Sequence, residues 1–172
     1  SPLPGASQTG VLVPSPDGSQ VFQFDGRGKH LATWNALTGA QVLQMQYDAE
    51  GRLVALQDGD GNVTAIERDL GGAPTQIVGP FGQATQMGLD SNGYLASLGF
   101  PGGTGISMSY TGDGLLTSFD NGGDVSTFSY DVGGRLKVDS GASGMTQSLA
   151  RSSNSSGSSV TSTTSLGRQS TI

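Results

Sequence analysis

Apolar residues alternate with polar or small residues in short segments that recur along the chain. In one such segment Gln44 and Gln46 flank Met45. The same apolar position recurs in seven segments, as Phe22, Met45, Ile66, Met87, Met108, Phe128 and Leu149. Because a strand turns successive side chains to opposite faces, this pattern predicts strands that each have one apolar and one polar face. The segments lack the period that would indicate a helix.

A unit of about 21 residues repeats through the sequence. The phrase YDAEGRL, from Tyr47 to Leu53, returns as YDVGGRL, from Tyr130 to Leu136. A marker Asp or its equivalent recurs in steps of 20 to 23 residues, at Asp25, Asp48, Asp69, Asp90, Thr111 and Asp131. A Gly follows each marker three residues later, and a second Gly marks the other half of each unit. Asp bonds to nearby backbone and Gly accepts positive φ, so both positions predict turns and each unit is predicted to be a β-hairpin.

The strand after each marker carries an irregular apolar pattern. Leu53 and Leu56 lie two and five residues after Gly51, and most other units repeat this spacing. In a regular strand these two positions point to opposite faces. We therefore predict a β-bulge or an early bend in these strands.

The repeats divide the chain into three parts. Residues 1–13 are predicted to form an extended N-terminal arm and a first edge strand, and residues 14–150 are predicted to form six hairpin repeats. Residues 151–172 are rich in Ser and Thr, and a disordered tail is one interpretation of that composition. Gly157 and Gly167 continue the glycine spacing and Val160 lies among strand-forming Thr residues. We predict a degenerate seventh repeat there.

The composition limits both the core and the partners. Only 34% of the residues are hydrophobic and 13% are charged, while Gly numbers 29, which predicts a thin core between Gly-rich turns. The net charge of −6 argues against a nucleic-acid partner, which would need a basic surface. No long apolar run predicts a membrane span, and the absence of Cys excludes disulfides. The chain begins Ser-Pro-Leu-Pro without Met, and we expect a processed or excised piece.

The repeat phrases resemble those of the RHS/YD-repeat family, which includes bacterial RHS proteins, the shell of ABC-type toxin complexes and the YD shell of animal teneurins. The resemblance covers about residues 14 to 172 and is carried by segments such as FQFDGRGKHLATWNALTGAQV, YDAEGRLVALQDGDGNVTAIERD, LDSNGYLASLGFPGG and YDVGGRLKVD. It implies an all-β fold in which tandem hairpins add side by side into a curved sheet, a β-solenoid or part of a hollow shell. It departs from toxin-carrying members at Asp113-Gly114-Leu115, which lacks the Pro of a self-cleaving segment and is interpreted as a turn.

The function that the resemblance implies is structural. We expect a secreted or cell-surface module without catalytic residues or cofactors, which builds a shell, a surface scaffold or an assembled filament. A carbohydrate-binding or adhesion module is the alternative, with glycans as ligands. Trp34, Tyr47, Tyr94, Tyr110 and Tyr130 could form a sugar-stacking patch, although Tyr47, Tyr110 and Tyr130 occupy the repeat's own aromatic position and are expected to pack in the sheet.

Two polar features of the sequence are candidates for a cation site and a catalytic residue. Asp58, Asp60 and Asn62 resemble the start of a calcium loop, but Val63 stands where that loop needs Gly, so we favour a hairpin turn over a cation site. His30 is the single histidine, and it is predicted to lie at a surface or edge beside a turn, without a catalytic role. Asn62-Val-Thr64 and Asn154-Ser-Ser156 match the glycosylation sequon.

The two ends of the predicted sheet are candidate interfaces. The first strand, near Val11–Val13, and the last, near Gln169–Ile172, would each leave unpaired backbone groups. Both belong to the same repeat, so we expect them to be chemically alike. Copies of the chain could then join end to end through these edge strands, or the rest of a longer RHS shell could continue them.

Overall fold

The computed structural model describes residues 10–155 and 157–172, and the regular structure there consists of β-strands. The sixteen strands are β1 (Val11–Pro14), β2 (Gln20–Phe24), β3 (His30–Asn35), β4 (Gln41–Tyr47), β5 (Leu53–Asp58), β6 (Val63–Arg68), β7 (Pro74–Val78), β8 (Ala84–Leu89), β9 (Leu95–Gly99), β10 (Gly105–Tyr110), β11 (Leu116–Asn121), β12 (Asp124–Tyr130), β13 (Leu136–Ser140), β14 (Thr146–Asn154), β15 (Gly157–Thr164) and β16 (Gln169–Thr171). Residues 1–9, most of the predicted N-terminal arm, lie outside the described residues. The described part of the chain contains no helix that could cross a bilayer.

Residues 1–85 and residues 86–172 form two compact units, here unit 1 and unit 2. Within each unit, strands pair antiparallel with their neighbours in the order of the chain. The predicted all-β class with tandem hairpins is therefore confirmed.

Marker residues hold the turns that follow the even-numbered strands β2 to β12. The Asp25 carboxylate accepts hydrogen bonds from the backbone N–H groups of Arg27 and Lys29, both at 2.8 Å, and Gly28 N–H donates to the Asp25 carbonyl at 3.1 Å. The bond from Lys29 is the main cause that lowers the pKa of Asp25, because it favours the charged carboxylate. Five other turns repeat the side-chain bond to the fourth residue on, through Asp48, Asp69, Asp90, Thr111 and Asp131. The Thr111 turn contains Asp113-Gly114-Leu115, as predicted.

One extra residue is inserted in the strand after each of these turns. Gln46 pairs with Ala55 and Tyr47 pairs with Leu53, so Val54 has no partner on β4. The same register shift skips Leu31, Thr75, Ala96, Thr117 and Lys137. The predicted bulge is confirmed, and it brings the apolar residues on either side of it to one face of the sheet.

Each unit has an apolar face and a polar face. On the apolar face Met45 pairs with Leu56 in unit 1, and Met108 pairs with Phe119 in unit 2. The polar face carries mostly small and polar side chains, among them Gln46, Ala55, Ser97, Ser107, Ser118 and Thr127. Among the described residues, the buried hydrophobic side chains are Ala32, Trp34 and Ala55, all in unit 1, which confirms the thin core.

Candidate functional site

At five of the six bulges, a side chain closes the gap in hydrogen bonding that the bulge leaves between neighbouring repeats. The pairing of β3 with β4 ends at Ala32 and Gln44, so the His30 carbonyl lies beyond the ladder. The hydroxyl of Tyr47 donates to that carbonyl at 2.7 Å. Tyr110 and Tyr130 donate in the same way to the carbonyls of Leu95 and Leu116, at 2.8 and 2.7 Å. In these repeats the residue before the marker, here called the capping position, therefore bonds to the backbone of the preceding repeat. Phe24 and Leu89 occupy the same position in two other repeats and have no side-chain donor.

Arginine takes the same role in two repeats. Arg68 Nη2 donates to the Leu53 carbonyl at 3.2 Å, and Arg151 Nη2 donates to the Leu136 carbonyl at 3.4 Å. Tyr and Arg share a long side chain with a donor at its end, which explains why both occur at the capping position. This function of the arginines was not predicted from the sequence, although the occurrence of Tyr and Arg at one repeat position was an available signal.

A second contact links consecutive turns. In several repeats the residue after the turn glycine reaches the glycine of the next turn, as Lys29 does at Gly51, Arg52 at Gly72 and Tyr94 at Gly114. Lys29 Nζ also lies 4.9 Å from the centre of the Tyr47 ring, within the range of a cation–π interaction. Neighbouring repeats are thus linked by a backbone cap, by a side-chain contact between turns, or by both.

Removing one capping hydroxyl should weaken the fold measurably. Tyr47→Phe keeps the ring but leaves the His30 carbonyl without its donor, and we expect a loss of about 0.5–1.5 kcal/mol in the free energy of unfolding. Tyr94→Phe is the matched control, because no acceptor for the Tyr94 hydroxyl lies within the described residues. Urea denaturation followed by circular dichroism measures both variants. Equal losses in the two would contradict a role for the Tyr47 cap.

The Asp58 turn uses its polar groups on its own backbone. The Asp58 carboxylate accepts from the N–H groups of Asp60 and Asn62 and from the Asn62 side-chain amide, each at 2.9 Å. The amide of Asn62 is the main cause that lowers the pKa of Asp58. No group of three or more acidic, His or Cys side chains suited to a metal occurs among residues 10–155 and 157–172. The geometry favours the turn interpretation over a cation site at Asp58, Asp60 and Asn62.

We expect chelation to leave the thermal midpoint unchanged. The Asp58 oxygens already accept three hydrogen bonds, so a cation would have to displace some of them. Thermal unfolding with EDTA, with calcium and with neither compares the conditions. A calcium-dependent rise in the midpoint that is lost in Asp60→Ala would instead assign the three residues as ligands.

His30 and the aromatic residues pack within the sheet. His30 begins β3 as predicted, but it is half-buried, with its ring 5.0 Å from that of Phe24 in a stacked arrangement. Its Nε2 lies 3.0 Å from the Ala32 carbonyl oxygen. The aromatic residues of the alternative sugar-stacking interpretation contact the protein itself: Trp34 is buried, Tyr94 contacts Tyr110 at 5.3 Å, and the hydroxyls of Tyr47, Tyr110 and Tyr130 donate to backbone carbonyls.

A groove of about 350 Å³ in unit 2 opens between the turn after β13 and the turn after β15. Asp139, Met145, Gln147 and Arg168 contribute to its lining, which contains no aromatic side chain among the described residues. Aromatic faces are the groups that sugar rings usually stack on. The groove therefore adds no observation in favour of glycan binding. The sequon at Asn154 extends to residue 156, outside the described residues.

The two edge strands differ in what they offer to another strand. Ser15 N–H donates to the Gln20 carbonyl. Because only alternate residues of an antiparallel strand bond to the partner strand, the backbone groups of Leu12 and Pro14 point away from β2, toward the open edge. Pro14 has no N–H to donate, so it guards this edge. Val160 and Ile172 exchange two backbone hydrogen bonds, at 2.9 and 3.1 Å, which turns the groups of Gln169 and Thr171 outward from β16. The expectation that the edges are chemically alike is wrong, because proline guards only the first.

Comparisons with known proteins match most of this chain to one family. The family described as Teneurin YD-shell matches residues 8–171. Teneurin-1 of Mus musculus is 36% identical over 126 residues, which cover 72% of this chain and 5% of the relative. Teneurin-4 of Homo sapiens is 34% identical over 124 residues, which cover 71% of this chain and 4% of the relative. The chain thus spans about 5% of the length of curated relatives that it matches.

A likeness to solved structures accompanies these matches. The crystal structure of TcdB2-TccC3 without its hypervariable C-terminal region aligns with 94% of this chain and 11% of that chain. The sequence identity is 14% and the TM-score is 0.48.

Proposed function

Because this chain belongs to the teneurin YD-shell family, we propose that it is a non-catalytic structural segment of a larger extracellular shell. The observation that carries the proposal is the family match over residues 8–171, together with the turn, bulge and capping contacts that recur along those residues. The six repeats within residues 14–150 and a degenerate seventh repeat in residues 151–172 are the building units. Its membership of this family supports a secreted or cell-surface location.

Several polar groups that would otherwise suggest chemistry support the structural role. The marker carboxylates accept hydrogen bonds from their own turns, and the tyrosine hydroxyls donate to the preceding repeat. These groups stabilise local backbone that lacks partners in the sheet ladder. This use of Asp and Tyr favours a scaffold over an enzyme.

The β16 edge is the side on which we propose that the sheet continues. Its outward groups at Gln169 and Thr171 include both donors and acceptors, and no charge or proline guards them. In the shell, a strand of the same sheet covers this edge. In the isolated chain, we propose that β1 of a second copy pairs with the β16 edge through the outward backbone groups of Leu12. This pairing gives an open, end-to-end assembly.

Light scattering and negative-stain imaging of the 172-residue chain test this assembly. We expect the mean mass to rise with protein concentration. Thr171→Pro should reduce association, because it removes an outward N–H without breaking a backbone bond to β15. The control Thr171→Ala keeps that N–H and should still associate, although it loses the same hydroxyl bond to Thr161 as the proline variant. A mass that is monomeric at every concentration would contradict pairing between copies and leave a covalent neighbour as the partner of β16.

A further inference from the structure

The sequence contains two Asn-Gly pairs, and the structure treats them differently. Asn92-Gly93 lies in the turn after β8. Asn121 is the last residue of β11, and Gly122 is the first residue of the two-residue turn that leads to β12. Both asparagines are exposed, and both glycines have positive φ, 84° at Gly93 and 69° at Gly122. Asn-Gly is the dipeptide most open to attack by the following backbone nitrogen on the side-chain amide, because Gly has no side chain to obstruct it. The two sites are therefore a matched pair in sequence.

Hydrogen bonding holds the attacking nitrogen at one site and not at the other. Gly93 N–H donates to the Asp90 carbonyl at 3.0 Å, and Asn92 N–H donates to the Asp90 carboxylate at 2.8 Å. At the second site the Asp120 carboxylate accepts from Gly123 N–H at 2.7 Å. No acceptor for Gly122 N–H lies among residues 10–155 and 157–172. Of the two attacking backbone nitrogens, only that of Gly93 is thus held by a hydrogen bond, and that of Gly122 is free to approach the Asn121 side-chain amide.

We propose that Asn121 is a site of spontaneous deamidation in the folded protein and that Asn92 is protected. Gly122 N loses its proton to solvent and bonds to Asn121 Cγ, the Cγ–Nδ2 bond breaks, and the nitrogen leaves as ammonia after taking up a proton. The product is a five-membered succinimide. One water molecule then opens either carbonyl of the ring, which yields Asp or isoaspartate at position 121.

The product changes both charge and backbone at this turn. A carboxylate at position 121 stands between Asp120 and Asp124, so three acidic groups lie within five positions. Isoaspartate also adds one carbon to the main chain, in a turn that joins the directly paired residues Asn121 and Asp124. Because a two-residue hairpin loop fixes the register of its strands, this modification should loosen the pairing of β11 with β12.

Peptide mapping by mass spectrometry tests the proposal on the intact chain, incubated at neutral pH in the folded state and in denaturant. In the folded chain we expect conversion at Asn121 to be faster than at Asn92 by about fivefold or more, the factor that one typical backbone hydrogen bond represents. In denaturant the two rates should converge, since both sites then are unstructured Asn-Gly. Asn121→Gln should remove the modification at 121 and leave the Asn92 rate unchanged. Equal rates in the folded chain, faster conversion at Asn92, or no conversion at either site would each overturn the proposal.

Discussion

Trp34→Ala is expected to lower the free energy of unfolding by about 3–5 kcal/mol, the range for removing a buried aromatic side chain. Trp34 is 7% exposed and packs on Ala32, with Val21 against them. Its Nε1 donates to the Gln23 side-chain oxygen at 3.0 Å, and Gln23 is itself buried. The substitution removes both the apolar contact and this bond from a sheet that has little other buried material.

Urea denaturation monitored by circular dichroism gives the free energy without relying on tryptophan fluorescence, which the variant lacks. Leu37→Ala is the control, because Leu37 is a large apolar residue that is 94% exposed in the turn after β3, and its loss should change stability by less than about 0.5 kcal/mol. If Trp34→Ala unfolds at the same urea concentration as the parent, the buried cluster around Trp34 does not stabilise unit 1.

Gly51→Val is expected to destabilise the fold by about 2–3 kcal/mol, because a β-branched residue is strained in the left-handed region. Gly51 has φ of 82° in the turn between β4 and β5. A side chain there would also meet the end of Lys29, which is flexible and can move, so backbone strain is the larger cost. Displacing Lys29 would in addition disturb its contact with the Tyr47 ring.

Two controls separate backbone strain from lost contacts. Gly26→Val places the same side chain in the turn after β2. There φ is not positive and a Cβ would meet no other part of the fold within 4 Å, so the substitution should leave the free energy of unfolding nearly unchanged. Leu53→Ala removes a half-buried side chain, so its cost should fall below the ~2 kcal/mol at the low end for a buried leucine. A Gly51→Val variant that melts with the parent would contradict the strain argument.

Local features of the sequence were enough to predict the repeat fold. Asp48 and Gly51 have turn chemistry that acts over four residues, and the apolar alternation around Met45 follows from strand geometry alone. Even the bulge at Val54 was predicted, because Leu53 and Leu56 cannot share a face in a regular strand. These inferences needed no knowledge of which strands are neighbours.

Contacts across strands were beyond the sequence pattern. The bond from Arg68 to the Leu53 carbonyl joins residues that are 15 positions apart, and only the pairing register brings them together. The burial of Trp34 depends on Gln23, from the neighbouring strand. Pro14 protects the edge of β1 only because its backbone points away from β2. Which alternate residues of β1 bond to β2 sets that direction, and the sequence alone does not give the bonding pattern. In each case the missing information was register.

The capping contacts have a consequence for how such a chain can change length during evolution. Every repeat with Tyr or Arg at the capping position presents a donor to the repeat before it, and its own bulged strand presents an acceptor to the repeat after it. Duplicating or deleting one whole unit of about 21 residues preserves both partners at the new junction. Inserting a single residue within a strand instead shifts one side of the junction and separates donor from acceptor. Growth and loss by whole hairpins is therefore the path that this architecture tolerates, with either Tyr or Arg able to supply the donor at a capped junction.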